Sequence, residues 1–248
     1  MSRSARVLVA NWKMNLPEEG IEAFALAVAS WEPRQTIDLV LVPPFPFLDM
    51  LTRLKQAHGN RFEVGAQNCS AEERGAWTGE VACWMLAAVG ATRVIVGHSE
   101  RRHLFDEDDT LVGRKLAAVS AAGLKPILCI GEEESVRQSG QTRSLLRHQI
   151  ETALQTIQEL PPGLTIAYEP VWAIGTGSSA TAEMIAEAHD DIAAILEEVA
   201  GTRVPILYGG SVSADNAEEL ASVGSVDGFL VGGASLASSS FGSIYRAL

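Results

Sequence analysis

Hydrophobic and polar positions fall into two alternating patterns from one end of the chain to the other. Short runs rich in β-branched residues occupy residues 7–10, 37–42, 62–66, 93–96, 125–130, 164–168, 205–208 and 226–231. Each is close to continuously apolar, which is what strands covered on both faces of a parallel sheet require. Between them lie segments with helical periodicity, at residues 18–30, 45–57, 79–89, 110–122, 143–159, 180–200, 214–221 and 235–248. Gly123 and Gly201 stand where helices stop, and Ser213 stands where one starts. Eight strand–helix units without a linker, low-complexity tract or charge block predict an α/β fold, a closed (β/α)8 barrel forming one domain over residues 1–248. A doubly wound dinucleotide fold would call for G-x-G-x-x-G after the first strand, where the chain has Asn11-Trp12-Lys13-Met14-Asn15.

Barrel chemistry is built where strands end. Those positions hold Asn11 and Lys13 after the first run, Gly97-His98-Ser99-Glu100 after the fourth and Glu169 after the sixth. Gly209-Gly210-Ser211 follows the seventh and Gly232-Gly233-Ala234-Ser235 the eighth. Glycine pairs serve tight turns everywhere, but two on adjacent strands let the N–H groups of Gly210, Ser211, Gly232 and Gly233 approach an anion. A helix opening near Ser235 would add its positive end. His98 precedes a short helix predicted from Ser99, whose N–H groups would disfavour an imidazolium. His58, His103, His148 and His189 fall in helical or loop contexts and read as structural.

Residues 167–177 combine these themes. Pro170 biases Glu169 toward extended backbone, and an apolar stretch with Val171, Trp172 and Ile174 runs on to Gly175 and Gly177. The segment alone fits two readings equally: a lid that expels water from a carboxylate, or an ordinary connection with a buried Trp. A carboxylate base, a neutral imidazole, a lysine and a phosphate cradle together suit proton abstraction beside a carbonyl, interconverting an aldose and a ketose with no cofactor.

Charge and cysteine content narrow the partners. A formal net charge of −12 argues against nucleic acid or an anionic membrane. An anionic substrate must then be attracted locally, by a placed lysine or backbone N–H groups. No apolar run is long enough to span a membrane or serve as a signal peptide. Cys69, Cys83 and Cys129 have no ligand-like spacing and read as reduced thiols of a cytoplasmic protein. No ligand cluster predicts a metal. Asp106 to Asp109 reads as a helix N-terminal run.

Over essentially its whole length the chain resembles the triosephosphate isomerases. The resemblance rests on residues 11–15, Gly97-His98-Ser99-Glu100-Arg101-Arg102, residues 167–177, Tyr208-Gly209-Gly210-Ser211-Val212 and Val231-Gly232-Gly233-Ala234-Ser235, in that order. It implies a triose phosphate substrate, with Glu169 as base, His98 polarising the carbonyl, Lys13 offsetting negative charge and Asn11 orienting the reacting oxygens. Ser99 and Glu100 would support them, and Gly175, Ser211, Gly232 and Gly233 would hold the phosphate. It further implies a homodimer in which the loop at residues 67–80 enters the partner subunit and brings Thr78 near its site. Trp77, a large apolar residue in that otherwise polar loop, suits an interface anchor, or else packs within its own subunit. Ser178 and Ala193 depart from the family's usual Lys and Arg, and Ala193 leaves Asp227 in need of another partner. Cys129 matches a family cysteine and reads as structural. Another phosphosugar enzyme on the same barrel, or a phosphate-binding scaffold without catalysis, are the alternatives; the intact set Asn11, Lys13, His98 and Glu169 favours the isomerase.

Overall fold

The computed structural model describes residues 6–157, 159–174 and 180–248. Eight parallel strands close into a barrel in sequence order: β1 (Arg6–Asn11), β2 (Ile37–Val42), β3 (Glu63–Ala66), β4 (Arg93–Val96), β5 (Lys125–Ile130), β6 (Thr165–Tyr168), β7 (Ile206–Tyr208) and β8 (Gly228–Val231). The outer layer holds α1 (Ile21–Ser30), α2 (Leu48–Ala57), α3 (Cys83–Ala88), α4 (Ser99–Leu104) and α5 (Asp109–Ala121). It continues through α6 (Glu134–Gln138), α7 (Thr142–Leu154), α8 (Ala182–Ala200), α9 (Ala217–Ser222) and α10 (Ser238–Ala247).

Alternation along each strand splits the core in two. Val7, Val9, Val40, Val42, Ile95, Ile127, Cys129, Ala167, Leu207 and Leu230 fill the barrel interior. Their neighbours, such as Leu8, Leu41, Val94, Leu128, Ile166 and Phe229, pack outward against the helices. The inward parity continues past the strand tops to Asn11, Gly97, Gly131, Glu169, Gly209 and Gly232. Asn11 and Glu169 therefore enter the barrel mouth because they follow Val9 and Ala167 by two, and glycine at the other four keeps it open.

Helix ends follow local chemistry. Asp108 caps α5 by accepting the Leu111 N–H at 2.7 Å, so the acidic run is a helix start as anticipated. Gly123 and Gly201 adopt φ of 70° and 63° just past α5 and α8, the left-handed stop that glycine allows. Ser213 is one step removed from its anticipated place: it exchanges hydrogen bonds with Asn216 in the turn before α9, and Asn216 occupies the N-cap. The helix anticipated from residue 235 begins at Ser238, after a 3-10 turn at Gly233–Ser235. The one anticipated from residue 79 begins only at Cys83, because Gly79, at φ 94°, belongs to a turn in the preceding loop. Asp227 finds its partner in Arg203, at 3.4 Å, and also accepts the Ile206 N–H at 3.1 Å.

Candidate active site

Five strand tops converge on one cavity of about 240 Å³, lined by Asn11, Lys13, His98, Glu169, Ser211 and the glycines of the last two units. Lys13 sits in the left-handed region at φ 52°, which costs a non-glycine residue about 1–2 kcal/mol. It is held there from two sides. The Asn11 side chain accepts its N–H at 3.1 Å, and Gln67, just past β3, donates to its carbonyl at 2.7 Å. This backbone turn aims the ammonium across the mouth: Nζ lies 2.6 Å from Glu100 and within 4 Å of where a Cβ on Gly232 would stand.

His98 caps α4. Its Nδ1 accepts the Glu100 N–H at 3.2 Å, so the ring proton sits on Nε2, facing Glu169 Oε1 at 3.2 Å. Glu169 itself is only 2% exposed. The Ser99 N–H donates to its Oε2 at 2.7 Å. Oε1, close to the imidazole but out of line with it, has no hydrogen-bond partner among the described residues. A buried carboxylate oxygen left without a donor is an acceptor available to a substrate proton.

Glycine shapes the surroundings of that carboxylate. A Cβ on Gly131 would stand 1.8 Å from the Glu169 carbonyl oxygen, and one on Gly209 would stand 2.9 Å from its Cγ. Any side chain at either position would displace the acid. Gly131, Gly209 and Gln67 were not singled out from sequence for such roles. All three sit at strand tops, the signal that finds the others, but their side chains advertise no chemistry.

The glycine pairs after β7 and β8 line the same cavity. Gly210 and Ser211 face Gly232 and Gly233 across the cavity, and the latter pair opens the 3-10 turn, whose first N–H groups lack carbonyl partners within the turn. The Ser211 hydroxyl donates to the Ala173 carbonyl at 2.7 Å, tying the cradle to the segment after Glu169. Within that segment, Val171–Ala173 forms a 3-10 turn and Trp172 donates to Glu132 at 3.2 Å. Tyr168 donates to the same Glu132 oxygen at 2.9 Å. Burial pushes the Glu132 carboxyl up from its ordinary value, against the lowering effect of these bonds and of Arg137. Gly175, Ser178 and the rest of the anticipated lid from residue 175 to 179 lie outside the described residues.

Trp77 and Thr78 do not reach this cavity; they stand exposed on the loop after β3, Trp77 by 54%. Cys129 is fully buried in the barrel, where burial first and Glu169 second push its thiol well above the usual value.

A closed parallel barrel whose mouth gathers an acid, an imidazole and a lysine beside a glycine cradle defines an α/β-barrel enzyme. Residues 6–248 match the family described as triosephosphate isomerase. The chain is 44% identical over 247 residues to the triosephosphate isomerase of Colwellia psychrerythraea, covering 97% of this chain and 96% of that protein. It is 43% identical over 246 residues to that of Aquifex aeolicus, covering 96% and 98%. It is 45% identical over 253 residues to that of Xanthomonas campestris pv. campestris, covering 98% and 97%. The chain belongs to the triosephosphate isomerase family.

Proposed function

We propose that Glu169, His98, Lys13 and Asn11 divide the work by which this family member interconverts D-glyceraldehyde 3-phosphate and dihydroxyacetone phosphate. Glu169 Oε1 takes the proton from the carbon beside the carbonyl. The electrons move to the carbonyl oxygen, toward which His98 Nε2–H donates. The resulting enediol(ate) is stabilised by Lys13 and oriented by Asn11. His98 gives its Nε2 proton to the oxygen that was the carbonyl and takes the hydroxyl proton from the neighbouring oxygen, which becomes the new carbonyl as Glu169 returns its proton to the adjacent carbon; no cofactor is required. Gly175, Ser211, Gly232 and Gly233 hold the phosphate through backbone N–H groups, while Ser99 and Glu100 position Glu169, His98 and Lys13. Triosephosphate isomerases are themselves a standard example of a carboxylate base beside a neutral imidazole under a closing loop, so the assignment extends a family pattern to these residues. The observation that carries it is the buried, unpartnered Oε1 of Glu169, 3.2 Å from His98 Nε2.

A coupled assay comparing wild type with Glu169→Ala tests the assignment. Removing a general base is expected to lower turnover by about 10³-fold or more; equal rates would refute it.

The whole chain, residues 1–248, acts as one domain and pairs into a homodimer in the cytoplasm. Support for the dimer comes from exposed apolar side chains on the first and third βα connections: Met14 is 93% exposed, Leu16 44% and Trp77 54%. Apolar side chains left exposed on neighbouring connections are what an interface between subunits covers. Sedimentation is expected to show a dimer that Thr78→Arg shifts toward monomer; a wild type already monomeric contradicts it. The cytoplasmic reading rests on three buried free thiols. No described helix is long and apolar enough to cross a membrane.

A further inference from the structure

The connection between β3 and α3 carries a cysteine near each end. Cys69 lies three residues past β3 and Cys83 opens α3. The Ser70 N–H donates to the Val81 carbonyl at 2.8 Å, drawing the two ends of the loop together. The two thiols lie close enough for each to shift the other's titration. They are not equivalent. Cys69 is 1% exposed and Cys83 5%, but of the two Cys83 borders a surface groove of about 560 Å³. Trp84, the Arg114–Glu72 ion pair and the small side chains Ala118 and Ala121 of α5 form its other walls. Beneath lies Lys115, buried and fixed by Asn68 at 2.8 Å and by Glu107, close enough for its charge to favour both thiolates.

We propose that Cys69 and Cys83 form a redox site, in which a low-molecular-weight disulfide entering the groove converts the dithiol into an intrachain disulfide bracketing the loop that bears Trp77 and Thr78.

Cys83 is the attacking sulfur. Proximity to Cys69 lowers its thiol from the ordinary value, while the same proximity, followed by burial, raises that of Cys69. Attack needs the thiolate and access together; of the pair, Cys83 has the lowered thiol and the place on the groove wall. With oxidised glutathione, Cys83 loses its proton to solvent and its sulfur attacks one sulfur of the disulfide. The S–S bond breaks, a Cys83–glutathione mixed disulfide forms and one glutathione thiolate leaves. Cys69 then loses its proton, attacks the Cys83 sulfur and expels the second glutathione thiolate. Both leaving thiolates take up a proton. Two cysteine thiols are oxidised by two electrons in all, and one glutathione disulfide is reduced to two glutathione molecules.

Cys129 is the internal control. It belongs to the barrel interior, is fully buried and is pushed well above the usual thiol range by burial. The test is intact-mass analysis and peptide mapping of the folded wild-type protein after incubation with oxidised glutathione. The expected product has lost two hydrogens, has Cys69 and Cys83 cross-linked and retains Cys129 as a free thiol. In Cys69→Ser the reaction stops with one glutathione on Cys83, and in Cys83→Ser neither step occurs. Three free thiols in the treated wild type, or a glutathione adduct that never resolves to the cross-link, overturns the proposal. So does a Cys83→Ser protein that is modified at Cys69 as fast as wild type at Cys83. Should either variant fail to fold, the wild-type mass and cross-link map decide alone.

Discussion

The two ends of the barrel both hold buried charged groups and use them in opposite ways. At the N-terminal end, Arg93 at the start of β4 is buried between Asp38 of β2, at 2.8 Å, and Glu63 of β3, at 2.6 Å. Lys125 at the start of β5 closes on the other Glu63 oxygen at 3.0 Å. The guanidinium and Lys125 together hold the Glu63 carboxyl below its ordinary value despite the opposing effect of burial. At the C-terminal end, Glu169 is more deeply buried than Glu63 and keeps one oxygen without a donor among the described residues, Lys13 holds a left-handed backbone, and glycines stand where side chains would fill the mouth. Satisfied charge at one end orders strands; an unsatisfied carboxylate and strained backbone at the other leave room for a reaction. Substitutions should separate the two ends, costing stability at one and turnover at the other.

The largest stability effect is expected from a buried group with no part in the chemistry. His189 of α8 is fully buried, with Nδ1 3.0 Å from the Ser225 carbonyl. Burial lowers its pKa from 6.5 to about 4, against the raising effects of that bond and of Asp227. The unfolded chain therefore binds a proton below 6.5 that the folded chain refuses until about 4. Stability present above the unfolded value is lost as pH falls through that window, by on the order of 3 kcal/mol in total. Denaturant midpoints measured across the window should fall more steeply for wild type than for His189→Gln; parallel curves contradict the assignment.

A smaller loss is expected from Arg93→Met at the N-terminal end. Removing one member of a buried pair typically costs 3–5 kcal/mol. Here Glu63 keeps Lys125 and Asp38 is 45% exposed, so about 2 kcal/mol is expected, with turnover per folded molecule unchanged. Equal stability, or a fall in turnover, would blur the division between the ends. The smallest effect belongs to the mouth. In Gly209→Ala the new Cβ meets Glu169 Cγ at 2.9 Å, and displacing the base slightly should lower kcat by roughly tenfold while denaturant midpoints barely move. An unchanged kcat would show that the acid's position is not set by that contact.

The barrel was legible because each unit repeats one decision, a run apolar on both faces followed by an amphipathic helix, and eight repeats average out local errors. β2, β4 and β5 begin and end where the pattern places them. Boundaries slipped where a backbone turn outweighs periodicity, as at Gly79 and at Gly233–Ser235. Site residues carrying distinctive side chains could be read from strand tops. Gly131 could not, since its contribution is the absence of a side chain 1.8 Å from another strand's carbonyl. Arg203 as the partner of Asp227 was equally hidden, because the two lie on connections that only the closed barrel brings together.

Transfer of a proton through Glu169 is most directly tested by the deuterium content of glyceraldehyde 3-phosphate formed from unlabelled dihydroxyacetone phosphate in D2O, sampled early in the reaction. A carboxyl group exchanges its proton with solvent between abstraction and return. The wild-type product should therefore carry deuterium on the carbon that receives the hydrogen, and Glu169→Gln should form almost no product. Product formed at the full wild-type rate yet wholly free of deuterium would mean that hydrogen passes directly between the two carbons, and Glu169 would not be its carrier.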